Sequence, residues 1–192
     1  MAELMVFHHA LGRTAGVLAF AERLRAAGHT VVVPDLYEGR LFTDLDEGVA
    51  FAEAVGMETI IERGVAEGEA MPANSVFVGF SLGALPAQKL AQTRAGTLGA
   101  ILLHGGVAPS WFGDGWPAGV AVQVHATHDD PWMEREDVFE LIAEAALAPA
   151  SGQMFSYDGD AHLFTDSSLA VYDAAATDLV FERIFELLER IA

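Results

Sequence analysis

Residues 75–93 read SVFVGFSLGALPAQKLAQT. An apolar run over 75–80 precedes the G-x-S-x-G pattern at 79–83, and a helix-like segment follows over 84–93. That order predicts a strand, a sharp turn and a helix, the arrangement called a nucleophile elbow. Glycines flank the serine in such a turn because a side chain there would collide with the neighbouring strand or helix. Ser81 is therefore the candidate nucleophile.

Apolar runs and helical patterns alternate along the rest of the chain. Strands are predicted over 4–8, 30–33, 75–80, 98–103, 120–125 and 153–157, and helices over 17–27, 60–69, 84–93, 135–147 and 170–191. The strands are continuously apolar, which is typical of a parallel sheet covered on both faces. We expect one α/β domain over 1–192, with a mostly parallel open sheet and helices on both faces. The loop at 107–118 is interpreted as a surface excursion.

Composition narrows the class of protein. The 192 residues are 52% hydrophobic, enough for one substantial core. The chain has no apolar run of about 20 residues and no basic start typical of a signal peptide, so a cytoplasmic protein without a membrane partner is expected. The absence of cysteine excludes thiolate catalysis, and the net charge of -18 disfavours nucleic acid as a partner. The sequence makes no prediction of oligomeric state.

A serine hydroxyl needs a base to remove its proton, usually a histidine oriented by a carboxylate. Parallel sheets gather ligands at the carboxyl ends of their strands. Asp130 and His162 each follow a predicted strand, at 120–125 and 153–157. The chain order serine, acid, histidine is that of α/β-hydrolases, so Ser81, Asp130 and His162 are predicted to act together.

Other readings of these residues remain open. Asp130 could instead cap the helix that follows it. His125, His128 and Asp129 lie close to Asp130 and have metal-ligand chemistry, but a short loop would need distant ligands and the chain has no H-E-x-x-H motif. We therefore predict no metal. His104 precedes every candidate acid after the elbow, so we assign it a structural or pocket-lining role.

Ester hydrolysis also needs amide donors for the developing oxyanion. The amide of Leu82, directly after the nucleophile, is predicted to be one of them. Ala10, in the loop after the first strand, is predicted to supply the second, with Leu11 as the alternative. His9 would then face the pocket, unless it is a loop histidine satisfied by backbone groups.

Several segments together resemble the dienelactone hydrolase family of α/β-hydrolases over nearly the whole chain. They are His8-His9-Ala10-Leu11-Gly12, Val33-Pro34-Asp35-Leu36-Tyr37, Gly79-Phe80-Ser81-Leu82-Gly83, Asp130-Pro131-Trp132 and the stretch 157–164. The resemblance implies a compact, lidless hydrolase with a Ser81, Asp130 and His162 triad and no metal or organic cofactor. It also selects Asp130, which stands directly before a segment with an aromatic residue, and Asp129 stays the alternative.

Two departures from that family bear on the substrate. The family's lactonases have cysteine where this chain has Ser81, and a glutamate that tunes the thiol where it has His9. They also have an arginine shortly after the catalytic histidine, where this chain reads Thr165-Asp166-Ser167-Ser168. An acidic residue there would repel an anionic lactone, so a neutral ester or lactone is expected.

The resulting hypothesis is a serine hydrolase that cleaves a small carboxylic ester or lactone through an acyl-enzyme. A thioesterase or acyltransferase could use the same triad, and a binding protein could retain the fold without the chemistry. Six residues are predicted to line the substrate pocket: His9, Leu11, Tyr37, Phe80, Trp132 and Phe164.

Overall fold

The computed structural model describes residues 1–147 and 152–192. Its six strands are β1 (Glu3–Phe7), β2 (Thr30–Val32), β3 (Ser75–Phe80), β4 (Gly99–Leu103), β5 (Ala121–Thr127) and β6 (Gly152–Tyr157). Its helices are α1 (Ala15–Ala26), α2 (Leu45–Val55), α3 (Met57–Glu69), α4 (Ala84–Thr93), α5 (Arg135–Leu147) and α6 (Ala174–Ile191). Every strand pair is parallel, so the predicted α/β class and open parallel sheet are confirmed.

The strand order β2-β1-β3-β4-β5-β6 determines where a ligand can bind. From β1 the chain first moves outward to β2 and then returns across β1 to build the rest of the sheet from β3. Ligands of open parallel sheets bind in the crevice where the order reverses, at the carboxyl ends of the strands. The loop after β1 and the turn after β3 therefore meet at that crevice.

Two hydrophobic cores cover the two faces of the sheet. Alternate residues of a strand point to opposite faces, so Leu4 belongs to one core and Met5 to the other. Helices α1 and α6 pack on the Leu4 side, and α3, α4 and α5 pack on the Met5 side. Since both faces are covered, the strands can be apolar along their whole length.

The structure differs from the sequence prediction at α2 and at the start of α6. Helix α2 was not predicted, although Asp44 caps it by accepting a hydrogen bond from the Glu47 amide. Helix α6 begins at Ala174 and not at residue 170, because Asp173 caps it by accepting from the Ala176 amide.

The loop at 107–118 is only partly a surface excursion. Trp111 is 63% exposed, but Trp116 is only 7% exposed. The Trp116 indole Nε1 donates to the Val120 carbonyl over 2.7 Å, and its ring joins the core on the α5 side of the sheet. A membrane-spanning helix needs both length and a nearly uncharged apolar stretch, and no helix among the described residues combines the two.

Candidate active site

Ser81 lies at the turn between β3 and α4, in a backbone conformation that few residues other than glycine adopt. Its φ is 48°, and a 3₁₀ turn over Ser81–Gly83 leads directly into α4. A Cβ atom on Gly79 would lie 2.1 Å from the Gly83 carbonyl oxygen, and one on Gly83 would lie 2.5 Å from the Phe7 carbonyl oxygen. The two glycines of the motif are therefore needed to let the elbow close against itself and against β1.

Gly83→Ala is expected to lower the free energy of unfolding by about 3 kcal/mol, because the new methyl group meets backbone atoms that cannot turn away. Gly113→Ala is the matched control, since a Cβ atom there has no neighbour within 4 Å. The control should change stability by less than about 0.5 kcal/mol. Urea unfolding of the two variants measures the difference, and equal stabilities would contradict the steric argument.

The structure brings Ser81, His162 and Asp130 into one hydrogen-bonded line. His162 Nε2 lies 2.9 Å from Ser81 Oγ, and His162 Nδ1 lies 2.9 Å and 2.8 Å from the two Asp130 carboxylate oxygens. A carboxylate accepts hydrogen bonds, so Nδ1 carries the ring proton and Nε2 is left to accept from the serine. This is the arrangement by which a histidine acts as a general base.

Asp130, and not Asp129, makes this contact. The Asp130 side chain is buried, and one of its oxygens also accepts from the Trp132 amide over 2.9 Å. The Asp129 side chain is 73% exposed, while its amide donates to the Gly159 carbonyl. The carboxylate hydrogen-bonded to His162 is therefore that of Asp130 and not that of its neighbour Asp129.

The neighbouring histidines do not join Asp130 in a metal site. His125 is buried with Nδ1 2.8 Å from the Tyr157 hydroxyl, and burial lowers its pKa to about 3. The His128 side chain is 72% exposed. Within residues 1–147 and 152–192, no group of three or more His, Asp or Glu side chains is placed to hold a metal ion.

The loop after β1 offers a candidate donor for an oxyanion beside the elbow. The Leu11 amide already donates to His9 Nδ1 over 3.2 Å. Across the described residues, the Ala10 amide donates to no protein acceptor. Leu82 is in the first turn of a helix, where amides have no partner within the helix. Ala10 therefore stays the candidate in this loop in preference to Leu11, and Leu82 stays the candidate at the elbow.

The prediction that His9 faces the substrate pocket is wrong. Its side chain is fully buried, and Nε2 lies 2.7 Å from an oxygen of the equally buried Asp166. The hydroxyls of Thr14 and Ser168 and the Ser168 amide also donate to Asp166. Asp166 is therefore enclosed by donors and is too deeply buried to contact a substrate directly.

These donors decide the charge of Asp166. Burial raises the pKa of Asp166, but hydrogen bonds from His9, Ser168 and Thr14 outweigh burial and lower that pKa from 3.8 to about 2. A carboxyl whose pKa is lower in the folded chain stabilises the fold above its unfolded pKa and loses that effect as the pH falls through its folded pKa.

We expect the ionised Asp166 to contribute about 2 kcal/mol of stability above about pH 4, and to lose it as the pH falls towards about 2. Asp166→Asn removes this pH-dependent contribution to the free energy of unfolding. The difference in unfolding free energy between wild type and variant should then narrow between about pH 5 and pH 3. Urea unfolding across that range checks this, and a difference independent of pH would contradict it.

His104 lies directly behind the candidate base. Its ring packs edge-on to the His162 ring at 5.6 Å, and its Nε2 lies 2.7 Å from the Thr165 hydroxyl. Complete burial, with the neighbouring His162 as a further cause, holds the pKa of His104 well below its ordinary value. His104 is therefore a neutral buried residue, which favours the structural one of the two roles predicted for it. Positive φ angles at Ser81, His104 and Leu163 place backbone strain around the same point.

An open cavity of about 260 Å³ borders His162. Its walls are Leu11, Thr43, Leu45, His162, Leu163, Leu169, Ala170 and Val171. Apart from His162, none of these side chains can carry a charge. Sequence reasoning identified Leu11 and His162. It missed Leu163 inside a recognised segment, and it missed Thr43, Leu45, Leu169, Ala170 and Val171, which lie outside every recognised motif.

The remaining predicted pocket residues have different positions. Trp132 is 46% exposed, and its ring lies 5.9 Å from the His162 ring. Tyr37 and Phe80 belong to opposite cores and neither lines the cavity beside His162, so their assignment as walls of that pocket is wrong. Phe164 is also buried; it packs against His104 and borders a separate cavity of about 450 Å³.

Solved structures of hydrolases share this architecture. The chain is 20% identical to a dienelactone hydrolase-like promiscuous phosphotriesterase from metagenomic libraries, with a TM-score of 0.75 over 100% of this chain and 87% of that one. It is 20% identical to the Bacillus cereus carboxylesterase, with a TM-score of 0.59 over 97% and 88% of the two chains. It is 13% identical to an α/β-hydrolase enzyme from a Medee basin deep-sea metagenome library, with a TM-score of 0.61 over 98% and 85%. Similarity at these identities establishes the fold.

Sequence comparison gives the family. No curated protein is significantly similar in sequence to this chain. The model of the dienelactone hydrolase family matches residues 2–192. The match includes the elbow, the loop after β1 and the segments that carry Asp130 and His162, and we conclude that this chain belongs to the dienelactone hydrolase family.

Proposed function

We propose that this protein is a serine hydrolase that cleaves a small neutral carboxylic ester or lactone through an acyl-enzyme. The observation that carries the proposal is the continuous line from Ser81 Oγ through His162 to the Asp130 carboxylate, with each contact between 2.8 and 2.9 Å. Membership of a hydrolase family supports the same reaction class.

Each residue of this line has a defined part in the proposed reaction. Ser81 Oγ attacks the ester carbonyl while His162 Nε2 takes its proton. The Leu82 and Ala10 amides stabilise the tetrahedral oxyanion. His162 then gives the proton to the leaving alcohol, or to the alkoxide of an opened lactone. A water molecule, activated by the same nitrogen, attacks the acyl-enzyme and releases the acid together with free Ser81.

The cavity beside His162 suggests the kind of acyl group. Leu11, Leu45 and Leu169 provide apolar walls, and the lining has no lysine or arginine to pair with a substrate carboxylate. An anionic acyl group would have to be desolvated there without a partner, which is costly. The net charge of -18 adds long-range repulsion of anions. A short, uncharged acyl chain fits these walls best.

Two matched esters test the proposal. p-Nitrophenyl butyrate and p-nitrophenyl hemisuccinate have acyl chains of the same length and differ by a terminal carboxylate. We expect kcat/KM to be about tenfold or more higher for the butyrate, a discrimination typical of an unpaired charge in an apolar pocket. An acyl-enzyme that accumulates should also give a burst of p-nitrophenol.

The other outcomes identify the alternatives. Turnover of S-phenyl thiobutyrate that exceeds ester turnover by about 100-fold would favour a thioesterase. Equal rates with the two esters would contradict the neutral-substrate part of the proposal. If folded wild type turns over none of these compounds and no simple lactone, the serine hydrolase proposal fails and a binding protein is favoured.

A further inference from the structure

His9 links two groups that are far apart in the sequence. Its Nδ1 accepts the Leu11 amide hydrogen over 3.2 Å, and its Nε2 lies 2.7 Å from Asp166, 157 residues along the chain. An imidazole nitrogen that accepts an amide hydrogen bond carries no proton. The proton of His9 must therefore be on Nε2, where it is donated to the Asp166 carboxylate. The acid thereby fixes the tautomer that the Leu11 amide requires.

Asp166 is itself held in place from two sides. The Thr14 hydroxyl donates to one carboxylate oxygen and also caps α1 by accepting from the Val17 amide. The Ser168 amide and hydroxyl donate to the other oxygen over 2.8 Å and 2.6 Å. A Cβ atom on Gly16 would lie 1.6 Å from that oxygen, so glycine leaves the space that the carboxylate fills.

We propose that Asp166 and His9 are positioning residues that hold the turn at 9–11 in the conformation that leaves the Ala10 amide free for the oxyanion. His9 occupies the Leu11 amide, and Asp166 holds the His9 ring in the orientation and tautomer that this contact needs. The assignment of a catalytic consequence rests on the proposed function. An oxyanion donor acts mainly in the transition state, so loss of its positioning lowers kcat more than it changes KM.

Asp166→Asn is the most informative variant. The Ser168 backbone amide is a fixed donor, so the new side chain must turn its oxygen to Ser168 and its NH₂ group to His9. His9 Nε2 would then accept, and the proton would move to Nδ1, opposite the Leu11 amide hydrogen. We expect kcat for p-nitrophenyl butyrate to fall by about 10- to 100-fold, with KM changed by less than about threefold.

Two His9 variants separate positioning from general packing. In His9→Asn the amide oxygen occupies the place of Nδ1 and can accept from Leu11, whereas His9→Gln places its amide near Nε2. We expect His9→Asn to keep kcat within about tenfold of the wild-type value. We expect His9→Gln to lower kcat by about 100-fold. Adding Asp166→Asn to His9→Gln should then cost little more, because residues that act through one another are not additive.

Nitrogen-15 NMR of the His9 ring gives a readout that does not depend on activity. The expected result is an unprotonated Nδ1 in wild type and a protonated Nδ1 in Asp166→Asn. The same tautomer in both proteins, or an unchanged kcat in folded Asp166→Asn, would overturn the inference. If wild type hydrolyses no ester, the proposed function fails, and the tautomer still decides whether Asp166 holds His9.

Discussion

Ser81→Ala is expected to lower kcat for p-nitrophenyl butyrate by at least about 10⁴-fold while the protein stays folded. The substitution removes the oxygen that would form the acyl-enzyme, and no hydroxyl group replaces it. The oxyanion donors and the pocket remain, so a small residual rate above the uncatalysed reaction is expected. Ser81 is partly exposed, and loss of one oxygen there should change stability little.

Ser110→Ala is the matched control for that measurement. Ser110 is exposed in the 3₁₀ turn Pro109–Trp111, and its truncation should leave kcat within about twofold of wild type. Circular dichroism confirms the folding of each variant. Full activity in folded Ser81→Ala would show that another group is the nucleophile.

Asp130→Asn is expected to lower kcat by about 10⁴-fold. The Trp132 amide donates to one oxygen of Asp130 over 2.9 Å, so an introduced amide group must keep its oxygen there. Its NH₂ group would then replace the oxygen that lies 2.8 Å from His162 Nδ1 and would favour the tautomer with the ring proton on Nε2. In that tautomer His162 cannot accept the proton of Ser81, although the residues remain in place.

Asp129→Asn is the control for Asp130→Asn, because it makes the same chemical change one residue earlier. The Asp129 side chain is 73% exposed, with one oxygen 4.0 Å from His128 Nε2, so kcat should change by less than about twofold. Steady-state kinetics on the two variants decides which acid orients the base. A large loss in Asp129→Asn with none in Asp130→Asn would reverse the assignment.

The sequence predicted the elbow and its partners because these features follow local rules. Glycines at 79 and 83, an apolar strand before Ser81 and acid and base after later strands are all visible along the chain. The structure places them in one hydrogen-bonded line. The pocket was harder to predict, because its walls come from loops whose path depends on the packing of α2 and of the segment before α6.

Aromatic residues near the motifs were misleading as pocket candidates. Phe80 precedes Ser81, but its side chain points into the core beneath α1 and α6. Tyr37 packs in the opposite core, where its hydroxyl donates to the Gly48 carbonyl over 3.3 Å. Nearness in sequence to a catalytic motif gives no direction for a side chain, since that direction depends on the pleat of the strand and the course of the loop.

Two residues that differ from those of the family's lactonases contact each other in the structure. His9 replaces a glutamate in the first loop, and Asp166 lies in the stretch where the family has an arginine. Along the sequence the two residues stand in separate motifs, and each was predicted to act on the substrate. The structure joins them by a buried hydrogen bond of 2.7 Å, which ties the loop after β1 to the segment after His162. Such a pair is invisible along the chain because its members are 157 residues apart.

Covalent labelling tests the central claim, that Ser81 is a nucleophile activated by His162, most directly. Folded wild type is incubated with a fluorophosphonate, which reacts with activated serines, and intact and peptide masses are then measured. We expect one adduct per chain, on the peptide that contains Ser81, and none in folded Ser81→Ala. An adduct on a different serine, or no adduct on folded wild type, would contradict the account.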